Sequence, residues 1–351
     1  MNKLQLGRSG RALGAALVLT AALAACGPSG PAQTATPGTV PTSIPTAAPA
    51  PTSAPTVAPT SAPAPTSAPT AAPTAPPATL PQPSPSVTPA TAGQGEREIA
   101  AVQVVVDYYQ AIADRAYERA YRLWERDGAA SGQTLDQFQQ GYADTAGVSV
   151  RLDSASAAGD AVSVPIEITS IVNRASQDQL VQHFRGTYTL RSGASGWRIA
   201  SASVAAFDAG PQPPADVADP IALLQAYYAA INGHDQPRAY TYWGNNGAAS
   251  QQSYTQFAQG YAGTASASIA TGKWQAGGAA GSTYADVPTV IVATQRDGSQ
   301  QSFCGTYTLR HLNVPPFDQL GWRIERAAIA PIANVQLDSD QAQHLLADGC
   351  K

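Results

Sequence analysis

Residues 102–145 align without a gap on residues 221–264, and 20 of the 44 positions are identical. A chain that repeats itself over this length builds one structural unit twice, so any fold must satisfy both copies. Tyr108-Tyr109 recurs as Tyr227-Tyr228, Ala111-Ile112 as Ala230-Ile231, and Arg119-Ala120-Tyr121 as Arg238-Ala239-Tyr240. Trp124 recurs as Trp243, GAAS at 128–131 as 247–250, and QGYA at 140–143 as 259–262. Further on, GTYTLR at 186–191 returns at 305–310 and GWRI at 196–199 at 321–324. Each copy takes about 110 residues, and Pro211-Gln212-Pro213-Pro214 stands between them as a joint.

Each copy reads as helices first and strands second. Val102, Val105, Tyr109 and Ile112 fall at helical spacing, which predicts a helix over 100–113. A second helix carries Tyr117, Tyr121 and Trp124, with Gly128 placed to end it. Thr134 with Gln137, and Ser253 with Gln256, have the spacing of a capping box that opens a third helix. From residue 147 the pattern alternates: Val162, Val164, Ile166 and Ile168 face one way, and Ser163, Glu167 and Thr169 the other. Phe184, Gly186, Tyr188 and Leu190 share a face of the next strand, as Phe303, Gly305, Tyr307 and Leu309 do later. A glycine inside a strand marks a bulge or a close approach. The expected class is α+β: two tandem domains, each with about three helices packed on a curved antiparallel sheet of about four strands.

The order of elements, the YYxAI that ends the first helix and the AYxxW that follows resemble the nuclear-transport-factor-2-like superfamily, which includes SnoaL-like cyclases and ketosteroid isomerases. The resemblance covers residues 98–206 and 217–332. It implies a cone formed by a sheet wrapped around a long helix, with any chemistry inside it, performed by buried Asp, His or Tyr.

Composition changes sharply outside the copies. Nineteen of the 29 prolines lie between Pro28 and Pro89, and no residue from Gly27 to Gly95 is charged. Such a segment has too little bulky apolar surface to offset the entropy of ordering, so 26–95 is expected to be a disordered stalk. Before it, Lys3, Arg8 and Arg11 precede an apolar run from Ala12 to Ala25. That run is shorter than the roughly 20 residues of a membrane span and fits the apolar core of a signal peptide. Leu23-Ala24-Ala25-Cys26 resembles the bacterial lipobox, which implies cleavage before Cys26, lipidation of its thiol and palmitate-type acylation. Removing the three cations takes the formal net charge from −4 to −7. The expected organisation is signal peptide 1–25, lipid-anchored stalk 26–95, first domain 96–207, linker 208–216, second domain 217–332 and a tail 333–351 with a short helix.

Ionisable residues bear on function through what the two copies share. Asp107 faces Ala226, Asp114 faces Gly233 and Asp136 faces Thr255, so no carboxylate or histidine of the helical segment is duplicated. The matched charges are Arg119/Arg238, Arg191/Arg310 and Arg198/Arg323. His234-Asp235 reads as a turn or helix cap after Asn232-Gly233, and Glu167 and His183 alternate onto an outer face. Tyr108, Tyr109, Trp124 and Tyr142, with Tyr227, Tyr228, Trp243 and Tyr261, are the candidate pocket-lining residues, and serve equally as core. No phosphate loop, HExxH, CxxC or GxSxG is present, so no catalytic residue, metal or cofactor is assigned. With Cys26 lipidated, Cys304 and Cys350 remain. Their even number predicts a disulfide that holds the tail on the outer sheet of the second domain. The acidic balance excludes nucleic acid as a partner. These residues predict an extracytoplasmic lipoprotein bound to the membrane through Cys26, with a small apolar ligand or an envelope protein as partner. An isomerase, dehydratase or cyclase using one cone is the alternative, and a structural envelope component is another. A Cys26→Ser variant is expected to leave the membrane fraction for the soluble one in cell fractionation.

Overall fold

The structure, a computed structural model, describes residues 92–175, 178–210 and 212–350, with side chains from Gly95 onward. The expectations for the signal peptide, Cys26 and the stalk up to residue 91 lie outside the described residues. The first copy runs α1 (Ala92–Ala113), α2 (Tyr117–Arg122), α3 (Leu135–Tyr142), β1 (Thr145–Leu152), β2 (Ser156–Ala158), β3 (Ala161–Asn173), β4 (Gln179–Gly193) and β5 (Gly196–Phe207). The second repeats the order as α4 (Pro220–Asn232), α5 (Gln236–Thr241), α6 (Tyr254–Gly260), β6 (Thr264–Thr271), β7 (Gln275–Ala279), β8 (Ser282–Gln295), β9 (Gln300–Leu312) and β10 (Arg323–Ile332). A last helix, α7, spans Asp340–Ala347. Each copy holds one antiparallel sheet, ordered β1-β3-β4-β5 and β6-β8-β9-β10, with β2 on β3 and β7 on β8. None of the described helices is long and apolar enough to cross a membrane.

The sheets have five strands where the alternation predicts about four, because β2 has only three residues and β7, QAGGA, is exposed throughout and carries no alternation. Helix α1 also begins at Ala92 rather than 100. Its added turns are held by tertiary contacts: Arg97 lies over the Trp197 ring and donates to Gly159 O at 2.8 Å, and Glu98 accepts from Ala157 N at 3.0 Å. Both capping boxes form, at Thr134–Gln137 and Ser253–Gln256.

Gly128 does not end α2, which stops at Arg122; it opens a 3-10 turn over Ala129–Ser131 instead. There the backbone has φ +99°, and a Cβ would sit 2.0 Å from a carbon of the Tyr121 ring. Gly247 repeats both conditions, with φ +98° and the Tyr240 ring at 1.9 Å. The GAAS motif is therefore a tight turn packed under a tyrosine, closed by Ser131 and Ser250 hydroxyls on the Gly128 and Gly247 carbonyls, each at 2.7 Å. Gly186 and Gly305 mark a different need. A Cβ there would lie 2.0 Å from the carbonyl of Ser203 or Ala328 on the neighbouring strand.

The copies pack through different faces, and the edge strands explain why. An edge strand presents unpaired N–H and C=O groups that something must cover. On β6 the job is done within the copy: Asn232 donates to Ala267 O at 2.9 Å and accepts from Ala267 N at 2.6 Å. The first copy has Ala113 at the matching place, and its β1 edge is sealed by Asn246 of the second copy. Val150 N donates to Asn246 Oδ1 at 3.0 Å, and Asn246 Nδ2 donates to Val148 O at 3.3 Å. Around this contact Arg151 pairs with Asp216 at 2.7 Å, Arg238 Nε donates to Asp153 at 2.8 Å, and Tyr242 donates to Asp216 at 2.7 Å. Arg323 reaches Ser149 Oγ at 3.3 Å, and desolvation lowers its pKa to about 10, which leaves it protonated. One continuous buried apolar cluster runs through both copies.

The tail folds over the outer face of the second sheet. Ser339 caps α7 by accepting from Ala342 N, and Val290, Cys304, Val335, Ala342 and Leu346 form a separate buried cluster beneath it. Cys304 and Cys350 are joined as a disulfide, Cα–Cα 5.5 Å. Cys304 points away from the cone, as the alternation of β9 requires, yet it is buried because α7 covers it. Closing a loop of this length contributes about 2–4 kcal/mol. A Cys304→Ser/Cys350→Ser double variant is expected to unfold at lower denaturant, by that amount. Asp216→Asn is expected to cost about 1–3 kcal/mol by leaving the Arg151 and Arg238 guanidinium groups less well compensated. Both values are read from urea midpoints.

Candidate functional site

The repeated aromatics converge on one device in each copy. In the first, Tyr108 and Tyr109 leave adjacent positions of α1 and reach opposite walls. The Tyr108 hydroxyl bonds that of Tyr142 on α3 at 2.8 Å, and the Tyr109 hydroxyl bonds that of Tyr188 on β4 at 2.8 Å. The second copy repeats this as Tyr227–Tyr261 at 2.8 Å and Tyr228–Tyr307 at 2.7 Å. A buried phenol needs a polar partner, and here the phenols supply one another. The rings meet edge-on, with Tyr108–Tyr109 and Tyr227–Tyr228 centroids both 5.0 Å apart. Trp124 and Trp243 join each cluster, and the indole N–H of both is buried with no hydrogen-bond partner among the described residues. Desolvation by burial pushes the pKa of Tyr108, Tyr109, Tyr142 and Tyr188 upward, and that of Tyr227, Tyr228, Tyr261 and Tyr307 likewise.

The two cavities beside these clusters differ in size. The first copy encloses about 280 Å³, lined by all four of its candidate residues, Tyr108, Tyr109, Trp124 and Tyr142, and by Tyr188. The second encloses about 90 Å³, lined by Tyr228, Tyr261 and Tyr307. Tyr227 and Trp243 do not line it; they are 0% and 2% exposed and belong to the core. Ile329 lines the second cavity where the register of β10 matches Val204 of β5, which lines the first. Asn245 corresponds to Arg126, which lines the first cavity and is exposed.

Sequence reasoning missed Tyr188 and Tyr307 as members of the device, although GTYTLR recurs and the alternation faces both inward. It also missed Arg126, whose role rests on the shape of the turn around it. The remaining candidates sit elsewhere. Asp235 caps α5 by accepting from Arg238 N, and His234 lies in the turn before it with φ +55°. Glu167 and Arg185 approach to 3.9 Å on the outer face, and His183 bonds Thr169 there at 3.3 Å. Among the described residues no cluster of three or more His, Cys, Asp or Glu could hold a metal.

The lining chemistry is narrow. Neither cavity is lined by Asp, Glu, His or Cys. Phenols held above their ordinary pKa stay protonated at neutral pH. The lining phenols therefore act as hydrogen-bond donors and acceptors there. The cavities can bind, and orient by hydrogen bonds.

No protein-family model and no curated protein matches the chain. Among solved structures, a candidate dehydratase of the NTF2-like family from Streptomyces avermitilis is similar over 33% of this chain and 99% of its own, at 16% identity and TM-score 0.29. An NTF2-like protein with a cystatin-like fold from Novosphingobium aromaticivorans is similar over 33% of this chain and 83% of its own, at 16% identity and TM-score 0.25.

The raised tyrosines carry a sign. Unfolded phenols ionise near pH 10 and the folded ones above it, so their contribution to stability is fully present below pH 10 and is lost as pH rises beyond. Stability measured by denaturant midpoint is expected to hold through neutral pH and fall above pH 10. Most tyrosinate absorbance is expected to appear together with unfolding.

Proposed function

We propose that this chain is an extracytoplasmic lipoprotein, anchored to the membrane through Cys26, whose duplicated head is a small-ligand binding module with one working cavity, in the first copy. The anchor reading is supported by the cationic start, the apolar run Ala12–Ala25 and Leu23-Ala24-Ala25-Cys26. The binding reading is carried by one comparison: the same tyrosine device bounds about 280 Å³ in the first copy and about 90 Å³ in the second. The larger value approaches the lower end of small-molecule sites, and the smaller holds only a few waters. Duplication supplied two equivalent cones, and the second has become the scaffold against which the first is held. A cone of the nuclear-transport-factor-2-like kind, used for binding, accounts for a pocket lined by no Asp, Glu or His better than an isomerase or dehydratase does.

The test uses lining side chains of each cavity as reporters. On titration with small aromatic fragments, the Trp124 indole N–H resonance is expected to shift and the Tyr228 and Tyr261 ring resonances to stay. A shift at the second-copy tyrosines alone, or at neither site, overturns the reading.

A further inference from the structure

The first cavity has a polarity as well as a volume. Its two hydroxyl–hydroxyl bonds use two of four phenol protons. Each bond leaves one O–H that its own partner does not accept, and the Trp124 indole N–H, on a side chain 8% exposed, lies beside Tyr108 with no acceptor in good hydrogen-bond geometry among the described residues. Ser170, Ser201, Thr145 and Gln133 both donate and accept, so they do not discriminate. No carboxylate lines the space. The one charged lining side chain is Arg126, which makes no ion pair and no side-chain hydrogen bond among the described residues.

Arg126 also sits at a backbone position that arginine does not favour, φ +55°. The second copy places Asn245 there at φ +52°, a residue that tolerates the left-handed region. A costly residue held at a cavity rim, beside donors that lack acceptors, points to a ligand carrying negative charge. The rest of the lining, including Phe138, Ile168, Phe184 and Val204, is apolar.

We infer that the first cavity binds a small apolar carboxylic acid as its anion, with the carboxylate met by Arg126 and by the free phenol and indole donors, and the apolar body against the Ile168, Phe184 and Val204 wall. This rests on the reading of the first copy as the working cavity. Its selectivity comes from sign. A cation finds no carboxylate and shares the space with the Arg126 guanidinium, and a neutral hydrocarbon leaves the donors unpaired. The second copy, with Asn245 in place of Arg126 and a smaller space, does not take part.

Three probes of one shape separate the claims: benzoate, toluene and benzylammonium, titrated at low ionic strength into the full chain while the Trp124 indole resonance is followed. Benzoate is expected to bind at least tenfold more tightly than either of the others. Arg126→Asn installs the residue the second copy uses and suits the backbone, so it is expected to fold with undiminished thermal stability. It is expected to weaken benzoate about tenfold, as loss of a charge-assisted contact does, and to leave toluene unchanged. If toluene or benzylammonium matches benzoate, the acid preference is overturned while the binding cavity stands. Benzoate affinity unchanged in Arg126→Asn overturns the role of the guanidinium and with it the inference. If no probe shifts Trp124, the cavity reading itself fails.

Discussion

Four phenols that must bond one another inside each copy set the geometry on which the rest depends. Tyr108 ties α1 to α3 through Tyr142, and Tyr109 ties α1 to the sheet through Tyr188. An unmade bond at such a depth costs the desolvation of a hydroxyl with nothing in return, about 1–3 kcal/mol. The pairs therefore hold helix and sheet at one separation. That separation leaves the cavity that the same four tyrosines line. The identical 34- and 79-residue spacings in both copies show one solution used twice.

The pairing of copies follows from a different constraint, the open edge of β1. A strand edge attracts a partner, and here the partner is a side chain, Asn246, that imitates the hydrogen-bond pattern of a neighbouring strand. The surrounding Arg151, Asp153, Asp216 and Arg238 give orientation more than stability, since ion pairs removed from water return little net energy. The matching positions of the second copy, Ala270 for Arg151 and Gly272 for Asp153, carry no charge, and its own Asn232 already covers β6. A third unit thus finds no equivalent seat. The copies also differ in the space they leave: about 90 Å³ in the second and about 280 Å³ in the first, where the exposed Arg126 is part of the lining.

Much of the fold was legible because the duplication acts as an internal check. The capping boxes at Thr134 and Ser253, the inward faces of β3, β4 and β9 and the cap at Asp235 are local patterns, and the cysteine pairing follows from an even count. The added turns of α1 were not legible, because Arg97 on Trp197 and Glu98 on Ala157 join residues far apart in the chain. The role of Gly128 was misread for the same reason, since what requires it is the Tyr121 ring above it.

The amino-acid sequence alone determined that one α+β unit is built twice, which faces of its strands turn inward and where the aromatics lie, because periodicity and recurrence are local properties of the chain. The tertiary structure alone decided which copy keeps the larger cavity, which tyrosines bond and which cation joins a cavity lining. Volume and hydrogen bonding depend on side chains brought together from distant positions. Two copies that share 20 of 44 aligned residues leave a larger space in one setting and a smaller one in the other.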